Sequence, residues 1–406
     1  MATIIEQVPS IYTPAFNPMY CLISGNNWAS SNYELVVDIK NPSGDILARL
    51  KNPTDPTYQT KAAFDIHRVI ESYLSHTIDL AISKVSKAVN NIYPYNIITY
   101  EQYGSPAALY LGSETFTKYA LNIALSPQEW LSWNDAEYLT GSATRKFLNK
   151  FKGARKLFTT TKAFLYFLQN EAFPVNSIGV DAYDINDVNI ANSRIIQSYG
   201  GSGSTNYEHA LYVPSGPTNL NLIPQAELSL GTSGSVIPAQ TSYYKMSMQF
   251  GAFAGEVLTF SIIENCSKYT NYTIYFLGQY GNFEVWNFNR RSDSKSNINR
   301  SNYRAALGKF LTSSTYGYEI GDRQATQYNT EVQDGLILNT DLLTEAELLF
   351  LKECVQSPCV FILDGANLIP VIITDNVFEE KKKANEKLFN LSITVEYASI
   401  TQLQRY

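Results

Sequence analysis

The amino-acid sequence predicts a mainly β protein: consecutive β-sandwich-like modules, closed by a C-terminal α+β unit with one helix packed on a small antiparallel sheet. Three observations carry this expectation. Short apolar or alternating runs recur along the chain, bounded by Gly, Pro, Asn or Asp, the pattern of strands joined by turns. Tyrosine is abundant, 29 residues in 406, and its amphipathic ring suits half-buried sheet surfaces. One stretch breaks the pattern: Thr344-Glu345-Ala346-Glu347 is a capping box, whose threonine and glutamate satisfy orphan amides reciprocally.

From the N-terminus, residues 7–18 hold Pro9, Pro14 and Pro18. Proline fixes φ and donates no amide proton, so residues 1–20 read as an extended arm. Its apolar members Ile11, Tyr12 and Phe16 are expected to lie along this chain or a neighbour. Residues 21–134 read as a β-sandwich-like module. Segments 33–40 and 46–51 form a hairpin around Asn41-Pro42-Ser43-Gly44-Asp45, which is turn chemistry. Asp65 is expected to cap a helix bearing Ile66, Val69, Ile70, Tyr73 and Leu74 on one face. Strands follow at 95–103, 107–111 and 118–124, and 126–134 reads as a closing loop.

Residues 135–265 read as a second sandwich-like module. Its strands are expected at 162–168, 177–183, 193–199, 210–213, 226–230, 243–250 and 257–264, a spacing typical of such folds. The glycine-rich run 200–204 is expected as a flexible hairpin tip or loop, since it lacks the lysine and flanking pattern of a phosphate cradle. Residues 266–406 are the α+β assembly domain. It opens with a hairpin, 272–278 and 283–289, carrying Tyr275, Phe276, Phe283, Trp286 and Phe288, with Tyr280 and Trp286 as candidate interface residues. A polar loop is expected at 290–295, then further strand-like segments. The helix behind Thr344 places Leu348, Leu349, Leu351 and Val355 at near-helical spacing, and Ser357-Pro358 stops it. Strands at 359–363, 368–374 and 388–397 complete the unit, the first two joined by a turn at Asp364-Gly365-Ala366-Asn367.

Charged residues make up only 17%, and the net charge is −6. An acidic chain does not seek nucleic acid or anionic membranes. A surface rich in tyrosine and poor in charge is suited to being covered by a partner. The N-terminus lacks the basic start and apolar core of a signal peptide, and no apolar run reaches membrane-spanning length. Cys21, Cys266, Cys354 and Cys359 follow no disulfide or zinc spacing, so they read as buried thiols in a reducing cytoplasm.

No constellation announces chemistry. His67, His76 and His209 are scattered, with no local nucleophile–base signature. Asp181, Asp184 and Asp187 recur every third residue, whereas a calcium loop needs every second and a glycine. Arg145, Lys146, Lys150, Lys152 and Arg155 fall within eleven residues, which fits a nucleic-acid patch, a solvated face or an interface to an acidic partner. Glu379-Glu380-Lys381-Lys382-Lys383 reads as a charged hairpin tip whose Lys381, Lys382 and Lys383 are also candidates for inter-subunit ion pairs. Catalytic, cofactor and metal residues are therefore expected to be none.

Two stretches carry a resemblance. One is Gln7-Val8-Pro9-Ser10-Ile11-Tyr12-Thr13-Pro14-Ala15-Phe16-Asn17-Pro18. The other is Leu338-Asn339-Thr340-Asp341-Leu342-Leu343-Thr344-Glu345-Ala346-Glu347 with Ser357-Pro358, Ile369-Pro370-Val371, Ile373-Thr374-Asp375 and Asn385-Glu386-Lys387-Leu388-Phe389-Asn390. Together they resemble virion structural proteins of tailed phages that infect Bacteroidetes, the crAss-like group included. The resemblance covers both ends and, more loosely, the hairpin at 272–289. It implies a tail, neck or ring component around the DNA conduit, assembled in the host cytoplasm and carried in the virion. The implied partners are copies of itself in a ring and other tail, neck or portal proteins, with no specific nucleic-acid binding. The same family features carry no catalytic motif. Two other readings stand beside it. One is a receptor- or glycan-binding tail-tip module using Trp28, Trp130, Trp133 and Trp286; the other is an envelope hydrolase whose paired carboxylates meet only in the fold.

Overall fold

The computed structural model describes residues 3–142, 144–170, 172–199, 209–229, 235–251, 253–263, 268–375 and 390–402. The chain is mainly β, with 47% of residues in strands and 9% in helices. It divides into two compact units: residues 1–263 with 278–284, and residues 264–277 with 285–406.

The first unit begins with a sandwich. A three-stranded sheet ordered Ile4–Gln7, Tyr20–Ser24, Lys61–Asp65 packs on a sheet ordered Tyr12–Pro14, Lys118–Leu121, Ile92–Tyr103, Glu34–Lys40, Ile46–Asn52. Ala108–Glu114 pairs with the outer half of Ile92–Tyr103. Cys21, Ile23 and Phe64 from one layer meet Leu35, Val37, Ile39, Tyr95 and Ile97 from the other. Burying each such aliphatic side chain contributes about 1.5–3 kcal/mol. The proline-rich start lies along its own chain: Ile4–Gln7 pairs with Tyr20–Ser24, and Tyr12–Pro14 runs parallel to Lys118–Leu121.

The rest of this unit has two further sheets. One is ordered Arg155–Phe158, Phe253–Ile263, Tyr243–Phe250, Ser177–Tyr183, Asn189–Ile196, Leu228–Ser229; the other is Phe164–Leu168, Ala210–Pro214, Ser86–Lys87. A second core joins Tyr12, Leu121 and Ile123 to Phe164, Tyr166, Leu168 and Tyr212. The junction expected at 134/135 therefore lies inside a continuous core.

Two local expectations change. The helix after Asp65 is a single turn, His67–Glu71, with Ile66 as its unassisted N-cap. Asp65 Oδ1 instead accepts from the amides of Met19 and His67, tying the turn to the strand start. The expected loop at 126–134 contains the helix Pro127–Leu131, closed by a capping box from Ser126 and Glu129.

The second unit is built on a sheet ordered Phe283–Phe288, Tyr272–Leu277, Val360–Asp364, Asn367–Ile373, Ser392–Tyr397, Ala325–Asn339, Asp293–Arg304, with Thr401–Gln402 also on Ala325–Asn339. It is larger than the small sheet expected, because Asp293–Arg304 and Ala325–Asn339 are long strands and 293–295 is not loop. The helix Glu345–Gln356 starts at the Thr344–Glu347 capping box. It packs on the sheet through Phe350, whose ring lies 5.3 Å from Phe276 and 6.0 Å from Trp286. Phe350, Leu351 and Cys354 are its buried face, while Leu349 points to solvent. Gly365 holds φ +59 at the first position of the turn between Val360–Asp364 and Asn367–Ile373, where a side-chain-bearing residue is strained.

Candidate functional site

The residues singled out by sequence go to different places. Tyr12 is buried: its ring stacks on Tyr119 at 5.1 Å and its hydroxyl meets His209 Nδ1 at 2.6 Å. Its amide donates to Asp135 Oδ2, and its carbonyl accepts from Trp133 Nε1. Tyr280 is half-buried beside Tyr138. Trp286 is 6% exposed, within the core of the second unit. Ile11 and Phe16 remain exposed. Lys381, Lys382 and Lys383 lie outside the described residues, as do Cys266, the 200–204 run and Leu388.

The basic stretch is not a patch. Arg145 is fully buried and donates to the carbonyls of Leu168 and Phe173. Lys146 pairs with Glu137, Lys150 with Glu129, Lys152 with Glu256 and Arg155 with Glu284. Partial desolvation lowers the Lys152 pKa although its side chain is 39% exposed, and Glu256 acts against that shift. Five cations close in sequence thus fasten five places in the fold, leaving no shared field for a phosphate backbone.

The aspartate run is turn chemistry. Asp184 Oδ1 accepts from the amides of Asn186 and Val188, Asp181 pairs with Arg194, and Asp187 accepts from the Tyr243 hydroxyl. His67 Nδ1 contacts Asp65, and His76 lies edge-on to Phe283. Among the described residues, no group of three or more His, Cys, Asp or Glu is placed to hold a metal. No helix there is long and apolar enough to cross a membrane. An apolar pocket of about 20 Å³ lies between Ile78, Ile82, Phe164, Tyr212 and Phe283. That is room for a water molecule, far below the roughly 300–1,000 Å³ of small-molecule sites.

The surface feature that stands out lies in the second unit. Asp293–Arg304 and Ala325–Asn339 pair continuously from Asp293↔Ile337 to Arg304↔Ala325. On its other side, among the described residues, the return strand is paired only at Gly335–Asn339 and at Glu331 and Val332. Beyond Arg300↔Thr330 the pair continues as a two-stranded ribbon, ending in a small hairpin of Lys309–Thr312 and Thr315–Gly317. Around this end Leu307, Phe310, Leu311, Tyr316, Tyr318 and Ile320 are all exposed, Phe310 at 76%. Lys309 bonds Glu319 at 2.9 Å and Asp322 at 2.7 Å, so its charge is shared between two carboxylates. These bonds raise the Lys309 pKa and lower that of Asp322.

A two-stranded ribbon is marginal in water, and a cluster of uncovered aromatic side chains marks a contact surface. The arrangement offers an exposed apolar surface. Sequence reasoning missed it because the strand Asp-Ser-Lys-Ser-Asn-Ile-Asn-Arg-Ser-Asn-Tyr-Arg is polar on both faces. The available signal was the run of Phe310, Leu311, Tyr316, Tyr318 and Ile320 between two polar segments.

No protein-family model matches the chain. No curated protein matches it either.

Proposed function

We propose that this protein is a structural subunit of a tailed-phage virion, a tail, neck or ring component that works by self-association and by docking to other virion proteins. The observation that carries the reading is the ribbon of Asp293–Arg304 and Ala325–Asn339 with its uncovered aromatic end. Projections of this kind reach a neighbour at small cost in chain length, and a heterologous contact repeated by rotation closes a ring. The basic residues of 145–155 being bound internally fits a subunit that does not grip the genome. An acidic chain likewise suits the wall of a DNA conduit, where a basic lumen would retain phosphates.

The glycan-binding reading has less behind it. Of the four tryptophans, Trp130 and Trp133 pack against the second core and Trp286 is buried, leaving Trp28 exposed. Electron microscopy of the purified protein, and of particles with this chain labelled, tests the proposal. Closed rings, and label at the tail or neck, are expected. A strictly monomeric chain within intact particles overturns it.

A further inference from the structure

We propose that the outer edge of Asp293–Arg304 in one copy adds as a strand to the edge of Ala108–Glu114 in a second copy. This rests on the reading of the chain as a self-associating subunit.

Asp293–Arg304 has Ala325–Asn339 on one side and, among the described residues, no strand on the other. It runs for 12 residues with no proline. Its one register shift comes from an extra residue, Tyr328, on the return strand, so its own run is unbroken. Such an edge presents a row of backbone donors and acceptors to any incoming strand. Its charges are unequal. Asp293 pairs with Arg291 and Lys295 with Glu396, while Arg300 and Arg304 are exposed with no ion pair among the described residues.

The receiving edge must be open, accessible and free of positive charge. Ile46–Asn52 carries Arg49 and Lys51. Ile4–Gln7 has its one carboxylate, Glu6, held by Lys61. Leu228–Ser229 is two residues long. Ala108–Glu114 meets the requirements. Among the described residues it pairs only with Ile92–Tyr103, leaves Leu109, Tyr110 and Leu111 exposed, and ends in Glu114, which is exposed and has no ion pair. Ser113 is tied to Thr3, which leaves Ala108–Leu111 as the open length. Tyr110 stacks on Tyr103 at 4.3 Å, giving an aromatic face that an arginine can cover.

An apolar edge ending in an acid thus meets a polar edge carrying two free arginines. Because the two edges differ, the contact is heterologous and can propagate around a ring.

Sedimentation velocity of the full chain over a range of concentrations tests this. The variants are Arg300→Glu with Arg304→Glu, Glu114→Arg, all three together, and Leu111→Lys. All these side chains are exposed, and circular dichroism checks that the fold is kept. Reversing either side is expected to weaken association roughly three- to tenfold, and the triple variant to recover most of it. Leu111→Lys is expected to weaken association without rescue by charge. Association that ignores the single-sided reversals, or a triple variant no better than either, overturns the edge pairing and leaves self-association standing. A chain that stays monomeric throughout overturns both.

Discussion

Arg155 and Glu284, 129 residues apart, meet inside the first unit as an ion pair, with Nη1 2.5 Å from Oε2 and Nη2 donating to Oε1 at 2.8 Å. Both side chains are almost wholly buried, and Asn282 Nδ2 donates to the same carboxylate. The pair fastens the segment 278–284 to the strand Arg155–Phe158, from which the sheet continues into Phe253–Ile263. Removing one partner leaves a buried charge with no counterpart, a loss of about 3–5 kcal/mol. Arg155→Met alone and Glu284→Gln alone are each expected to lower the unfolding midpoint strongly. Arg155→Met with Glu284→Leu is expected to recover much of it, because two apolar groups need no counterion. Calorimetry of the four proteins reads this directly, and additive losses would falsify the coupling.

The second prediction concerns the basic stretch. Lys152 Nζ bonds Glu256 Oε2 at 2.8 Å, Asn149 Oδ1 at 2.8 Å and the Phe147 carbonyl at 3.2 Å. A lysine so engaged supports its own loop. Lys152→Gln is expected to cost about 0.5–1.5 kcal/mol in stability. Duplex DNA binding by the unaltered protein, followed by fluorescence anisotropy, is expected to be weak at low salt. A steep salt dependence abolished by Lys152→Gln would restore the nucleic-acid reading.

Some of this fold is legible from residues alone, and the reason differs by element. The Thr344–Glu347 box and the Gly365 turn announce themselves because their chemistry is local. Ser126-Pro127-Gln128-Glu129 carries the same box signature as Thr344, with proline at the first helical position. It is nonetheless easily passed over as loop, since the helix is only five residues long. Where a side chain's partner is distant in sequence, composition misleads. Arg145, Lys152 and Arg155 look like a basic patch until Phe173, Glu256 and Glu284 arrive from elsewhere. Asp293–Arg304 shows no alternation because neither of its faces is buried.

The Ser126 box also sets a pH dependence. Burial raises the Glu129 pKa, but hydrogen bonds from the Ser126 hydroxyl and amide and from Lys150 outweigh it, holding the carboxyl below its ordinary 4.5. A depressed folded-state value means the stabilisation is present above pH 4.5 and is lost as pH falls through the lower value. Glu129→Gln is therefore expected to be less stable near neutrality and to show a shallower loss on acidification. Thermal midpoints between pH 7 and pH 3 measure the difference. Parallel profiles for the two proteins would remove Glu129 from the account.

The helix of the second unit offers a graded test of packing against capping. Leu351 is fully buried on the face that Phe350 shares, whereas Thr344 acts only at the helix start. Leu351→Ala is expected to cost about 2–5 kcal/mol, and Thr344→Ala about 0.5–2 kcal/mol. Hydrogen exchange separates the two. The cap variant is expected to free the amides of the first turn, Glu347 among them, while the core variant loosens the whole of Glu345–Gln356 and the strands beneath it.

The uncovered aromatic end of the ribbon gives the last prediction, because there stability and association come apart. Phe310 and Ile320 are almost entirely in solvent, although the Phe310 ring meets Tyr316 edge-on at 5.2 Å. Replacing an exposed apolar side chain that covers nothing changes stability by about 0.5 kcal/mol or less. Phe310→Ser with Ile320→Ser is thus expected to leave the unfolding midpoint within a degree or two of the parent. The same change removes apolar surface that a neighbour would bury, at about 25 cal/mol per Å². Association is therefore expected to weaken by an order of magnitude or more in sedimentation experiments. Unchanged association would show that this end contributes nothing to assembly, and a large drop in stability would show that it serves the fold of its own subunit.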